Sequence, residues 1–329
     1  MGILRRRHAQ RDGGRGSGFL PNLEGVMDTL SKKIFRFGPV PQRASLPMGL
    51  PRAFLAAAFL LALIFSLPLW HLARFAWSHD LYSHILLIPL ISAYLFRQRI
   101  DCLPSPSQPA HRWTATAFFA GMALLGGFLA SPSLAESDGL AWTTGAFLCF
   151  LFGLGFWFLG WKGMRAEAFP FLFLLFLIPL PTSLEKLIET FLQESSAMAA
   201  YAFFKLCGTS VFNEGVAFTL PGFNLEVAPE CSGMHSSFVL LIAGVLASEM
   251  FLQTWWKRIL LVLLVIPLGI LRNAIRILVI GELCVHVSPD MIHSRIHHQG
   301  GPLFFMLALI PFLFLLRLLS KSEPHTLNP

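Results

Sequence analysis

Charge is scarce in this 329-residue chain: only 13% of its residues are Asp, Glu, Lys or Arg, against about a quarter in a soluble domain. With 55% hydrophobic residues, that scarcity excludes an ordinary soluble globular protein, and it excludes a disordered one more firmly. Cysteine is scarce too, and five in this length are too few for a disulfide-built secreted module. No internal repeat is present, which excludes solenoids and propellers. No apolar run follows the first arginines closely, so no cleaved signal peptide is expected. What is present is a series of long apolar runs, with a mean hydropathy of +0.63.

Those runs read as eight spans, at residues 53–77, 81–96, 113–130, 140–161, 169–184, 232–255, 259–285 and 301–319. A span takes about 20 residues, so 81–96 is short. The expected fold is an all-α polytopic membrane protein of about eight transmembrane helices. Its parts are a disordered basic tail (1–52), a multi-span membrane domain (53–319) and a short tail (320–329). The first part holds ten Lys/Arg and three Asp/Glu, so the whole net charge of +7 sits there. A basic tail before a first span fits a cytoplasmic location, with the lipid bilayer and not nucleic acid as its surroundings.

Loop charges give the sidedness. Arg97, Arg99 and Arg112 follow the second span, Lys162 and Arg165 the fourth, Lys257 and Arg258 the sixth, and Arg317 and Lys321 end the eighth. Asp80, Glu136, Asp138 and the mixed segment 185–230 fall on the opposite side. Both termini are thus expected in the cytoplasm of a cytoplasmic (inner) membrane protein, with Arg74 and Arg295 as exceptions. The outer segment between the fifth and sixth spans reads as an interfacial amphipathic helix (186–205) and a hairpin (211–227).

Three polar clusters interrupt the apolar pattern. The first is Glu230-Cys231-Ser232-Gly233 with His235, at the outer start of the sixth span. There a helix N-terminus and a nearby cation would lower the Cys231 pKa and make a nucleophile. His235, at i+4, is a candidate base. The second is Arg272-Asn273-Ala274-Ile275-Arg276, near the outer end of the seventh span. Ionisable groups at such depth are costly and mark functional sites. The third is His293, His297 and His298 in the last outer loop, a source of general acid or base near neutral pH. The loop charges bring all three clusters to one membrane face. A thiol, a cation and an imidazole at one level are the parts of a thiol acyl-transfer site. Two other readings remain open on residues alone. One is a zinc membrane protease using His293, His297, His298 and Cys231, although no His-Glu-x-x-His motif is present. The other is a transporter or polysaccharide-assembly protein, although the spans are nearly bare at mid-depth.

Three motifs carry a family resemblance: Cys231-Ser232-Gly233, Asn273-Ala274-Ile275-Arg276-Ile277, and His297-His298-Gln299-Gly300-Gly301. In this order they resemble the exosortase/archaeosortase family of membrane-embedded cysteine transpeptidases. Tyr82-Ser83-His84 resembles the family's N-terminal Ser-His stretch, and the likeness runs from about 80 to 319. Pro302 departs from the family, where an aromatic is common, and adjacent His297 and His298 leave two candidates for one role. The resemblance implies cleavage of exported proteins at a C-terminal sorting tag, a Pro-Glu-Pro-like motif followed by a transmembrane helix and a basic tail. It implies transfer to an acceptor, with Cys231, Arg276 and His297 catalytic. Glu230, His235, Asn273, Arg272, His298 and His84 are supporting or alternative residues. No metal and no cofactor is expected.

Overall fold

The computed structural model describes residues 49–99, 108–131, 133–228, 231–288 and 301–322. Helices dominate. The first two, α1 (Gly49–Ile64) and α2 (Ser66–Ser78), occupy the expected span 53–77 but meet at 74°. Pro68 accounts for the break: it has no N–H for the Ile64 carbonyl four residues back, and its ring crowds that carbonyl.

The expected second span is not one helix: a 3₁₀ segment (Asp80–Leu86) leads into α3 (Ile88–Arg99), 12 residues long. Next come α4 (His111–Ala130) and α5 (Glu136–Phe158), an antiparallel pair tied at one end by Ala110 N donating to the Phe156 carbonyl (3.1 Å).

The expected fifth span is broken as well. After α6 (Gly160–Ala166), α7 (Ala168–Phe173) and a 3₁₀ turn (Leu174–Leu177), the chain turns 90° into α8 (Thr182–Cys207). Pro179 and Pro181 stand at the corner, where neither can donate to a continuing helix. Asp138 of α5 receives the backbone N–H (2.7 Å) and hydroxyl (3.1 Å) of Thr182. Tyr82 donates to Glu185 at 2.8 Å. The α8 helix thus covers the expected amphipathic segment 186–205 and begins four residues earlier.

The expected hairpin is a three-stranded antiparallel sheet, β1 (Phe212–Glu214), β2 (Ala217–Leu220) and β3 (Phe223–Glu226), in that order. The fold is therefore helical with one small sheet rather than all-α. Phe218, Leu220, Leu225 and Val227 bury one sheet face against Phe204 of α8 and against Ala274 and Ile277. The remaining helices are α9 (Met234–Phe251), α10 (Trp255–His286) and α11 (Gly301–Lys321). They share a core of Leu240, Leu261, Val265, Phe312 and Leu316.

Five helices (α4, α5, α9, α10 and α11) are long and apolar enough to cross a membrane. Counting each bent pair as one gives up to seven among the described residues by length and composition. The segment 81–96, divided between the 3₁₀ start and α3, is not among them.

Two polar ends bound the bundle. At one end Glu249 of α9 bridges Arg99 of α3 (2.9 Å) and Arg258 of α10. Lys257 Nζ there donates to the Leu319 carbonyl of α11 at 3.4 Å. The other end carries the Tyr82–Glu185 and Asp138–Thr182 contacts and the turn that holds Cys231.

Candidate active site

Cys231 follows β3 closely, in a tight turn closed by its own N–H on the Ala228 carbonyl at 2.8 Å. The chain then passes through Gly233, at φ +74°, and only afterwards enters α9 at Met234. Cys231 thus lies just before the helix N-terminus, two residues ahead of the N-cap Gly233. The turn is separate because the left-handed Gly233 sits between them. His235 is accordingly not one helical turn from Cys231, and its side chain is exposed.

Helix α10 supplies the clamp. Arg272 Nη2 donates to the Gly233 carbonyl at 3.1 Å, and Asn273 Nδ2 donates to the Cys231 carbonyl at 2.9 Å. Both side chains are buried, Asn273 to 1% exposure. The Gly233 carbonyl also accepts the first helical bond of α9, from Ser237 N–H at 3.0 Å, so Arg272 ties down the start of that helix while Asn273 holds the turn before it. The two bonds also place the Cys231 turn on the helix that carries Arg276, one turn beyond Arg272. Gly233 is necessary twice over, since a Cβ there would lie 2.6 Å from Arg272 Nη2 and 2.9 Å from the Asn273 side chain.

Cys231 and Arg276 line one small cleft, with Leu225, Glu226 and Val227 from the β3 strand and its end, and Ile277 and Ile280 from α10. The walls are largely apolar. A guanidinium in such surroundings favours a negative charge on sulfur or on a carbonyl oxygen more strongly than it would in water. Gln193 of α8 donates to the Val227 carbonyl and pins the wall from behind.

A family model described as transmembrane exosortase matches residues 76–314. The chain belongs to the transmembrane exosortase family. No curated protein and no solved structure matches it significantly. The family match runs from α2 into α11 and takes in all four motifs read from the sequence. At the level of the family, this exosortase is a sorting-related membrane enzyme.

The structure brings together Cys231, Arg272, Asn273 and Arg276 of the expected site residues. His84 is elsewhere: buried in the 3₁₀ segment, its Nδ1 donating to the Leu81 carbonyl (3.0 Å) and its ring edge-on to Phe238 of α9 at 5.0 Å. It does not line the cleft. Glu230, His293, His297 and His298 lie outside the described residues. Among the described residues no three His, Cys, Asp or Glu side chains come together as a metal site. No disulfide joins Cys207 and Cys231. Sequence reasoning missed Leu225, Glu226, Val227 and Gln193. The strand pattern around Pro221-Gly222 signals a hairpin, but nothing local says that its last strand leads to a cysteine clamped from another helix.

Proposed function

We propose that this exosortase is a cysteine transpeptidase that cuts exported proteins at a C-terminal sorting tag, at the outer face of the cytoplasmic membrane. The observation that carries this reading is the double clamp from Arg272 and Asn273, which holds Cys231 on the same cleft as Arg276. The substrate class is a protein ending in a Pro-Glu-Pro-like motif, an apolar helix and a basic tail.

In this scheme the Cys231 thiolate attacks the scissile carbonyl carbon and a C–S bond forms. Arg276 stabilises first the thiolate and then the oxyanion. Collapse breaks the C–N bond, and His297, or His298 beside it, protonates the departing amine. The resulting thioester is attacked by an acceptor amine or by water. That step gives a new amide or an acid, and sulfur leaves again as thiolate. Arg272 and Asn273 are positioning residues, acting through the backbone of the Cys231 turn.

The test uses a tagged reporter and a membrane-impermeant maleimide, in a background lacking the other four cysteines. Cys231→Ala is expected to abolish reporter processing. Intact spheroplasts are expected to label at Cys231, about tenfold more slowly in Arg276→Ala, where the thiolate has lost its nearby cation. Processing that survives Cys231→Ala would overturn the scheme, and labelling only after permeabilisation would overturn the outward-facing site.

A further inference from the structure

The cleft meets β3 at its edge. Successive side chains of a strand point to opposite faces, yet three consecutive residues, Leu225, Glu226 and Val227, all line the cleft. A cleft over one face would take alternate residues. One that takes consecutive residues runs along the side of the strand and meets its main chain.

The register identifies the main-chain groups on that side. The β2–β3 pairs are Ala217↔Glu226, Phe218↔Leu225, Thr219↔Asn224 and Leu220↔Phe223. Val227 N donates to the Val216 carbonyl at 3.0 Å, which sets the phase of the ladder. Phe223 and Leu225 therefore turn their N–H and C=O groups toward β2, as Val227 turns its N–H. Asn224 and Glu226 turn theirs away from it. In the order β1-β2-β3 that outward side carries no strand among the described residues. Asn224 and Glu226 are both exposed.

The edge is firmly held. Leu225 and Val227 are buried against α8 and α10, and Gln193 binds the Val227 carbonyl. Edge strands are commonly blunted by proline or by a bulge. Here β3 is Phe223-Asn224-Leu225-Glu226, regular and without proline.

We infer that the substrate segment around the scissile bond binds as an added strand on the free edge of β3, its main chain pairing with Asn224 and Glu226 and its carbonyl delivered to Cys231. The inference rests on the proposed function. Strand addition takes its affinity from main-chain hydrogen bonds and its selectivity from alternate side chains. It suits an enzyme that must hold an extended linker between a folded protein and a membrane helix. Alternate residues of the bound segment would face the apolar wall of Leu225, Ile277 and Ile280, and those between them would face solvent.

The test uses a reporter ending in a Pro-Glu-Pro tag, an apolar helix and a basic tail, with the Cys231→Ala exosortase in lipid nanodiscs. Hydrogen exchange of the 223–227 segment is expected to slow at least about tenfold on reporter addition, and not with a reporter lacking the tag. With Asn224→Cys in the same background, cysteines placed one by one along the tag are expected to crosslink at alternate positions. Protection mapping elsewhere, or crosslinking without alternation, while the wild type still processes the reporter, would overturn strand addition alone. A wild type that leaves the reporter uncut overturns the proposed function and this inference with it.

Discussion

A methyl group added at Gly233 would stand 2.6 Å from Arg272 Nη2 and 2.9 Å from Asn273 Cγ and Oδ1. The backbone there is also left-handed, at φ +74°, a region that costs an L-residue about 1–2 kcal/mol. Gly233→Ala must therefore either push α10 away or flip the turn that carries Cys231. Either change breaks the two bonds from Arg272 and Asn273. The expected loss is about 1–3 kcal/mol of stability, read as a lower Tm in detergent. Tag processing should fall far more than folding does, because Cys231 and Arg276 no longer share one frame. Maleimide reactivity at Cys231 separates the effects: in Gly233→Ala it should no longer respond to Arg276→Ala. At this scale the sequence was informative about chemistry and uninformative about cause. Cys231, Asn273 and Arg276 stand out because polar groups are rare in such spans. Gly233 reads only as a small residue, since nothing local reveals the side chains that arrive from α10, 39 and 40 positions away.

Close approach also decides how the elements fit. A Cβ on Gly281 of α10 would lie 2.5 Å from Phe204 Cζ. That ring is fully buried between α8, α10 and the sheet. Gly281→Val is expected to drive the ring outward and cost about 1–3 kcal/mol by overpacking. Phe204 shares its core with Phe218 and Leu225, so the β3 edge should shift and processing should weaken. Shortening the opposing side chain tests this directly. Phe204→Leu should partly rescue Gly281→Val, and a double-mutant cycle on Tm should show favourable coupling. Additive losses would mean that the two residues do not meet. Most long helices were legible from their apolar runs, because a span needs length and little else. The bends at Phe65 and at 178–181 were not, although Pro68, Pro179 and Pro181 mark both. Hydropathy averages over a window, whereas a proline acts through one missing hydrogen bond. The sheet was half legible: Pro221-Gly222 signals the β2–β3 turn, but β1 is only three residues long and owes its place to pairing with β2.

Across the whole molecule, the polar groups gather at the two ends. Arg99, Glu249, Arg258 and Lys257 tie α3, α9, α10 and α11 at one end, and loop charge groups the same basic residues on one side. The Cys231 turn and the Asp138–Thr182 contact occupy the other end. Glu167, between α6 and α7, is one exception to this pairing. It is 1% exposed, and its Oε2 has no hydrogen-bond partner among the described residues. Burial pushes its carboxyl up from 4.5 to about 7, against the opposing pull of the Arg99 charge. The folded protein therefore holds this proton at pH values where the unfolded chain has lost it. Stability from this group is fully present below about 4.5, is lost as pH rises toward about 7, and then levels off. Glu167→Gln stays neutral throughout and lacks that slope. The variant should gain in Tm on the wild type between pH 5 and pH 7 and keep a constant lead at pH 8. Thermal melts of both proteins in one detergent across that range measure the difference. A lead that does not change with pH would mean that Glu167 is already ionised in the folded protein at pH 5, with a partner that burial among α6 and α7 does not suggest.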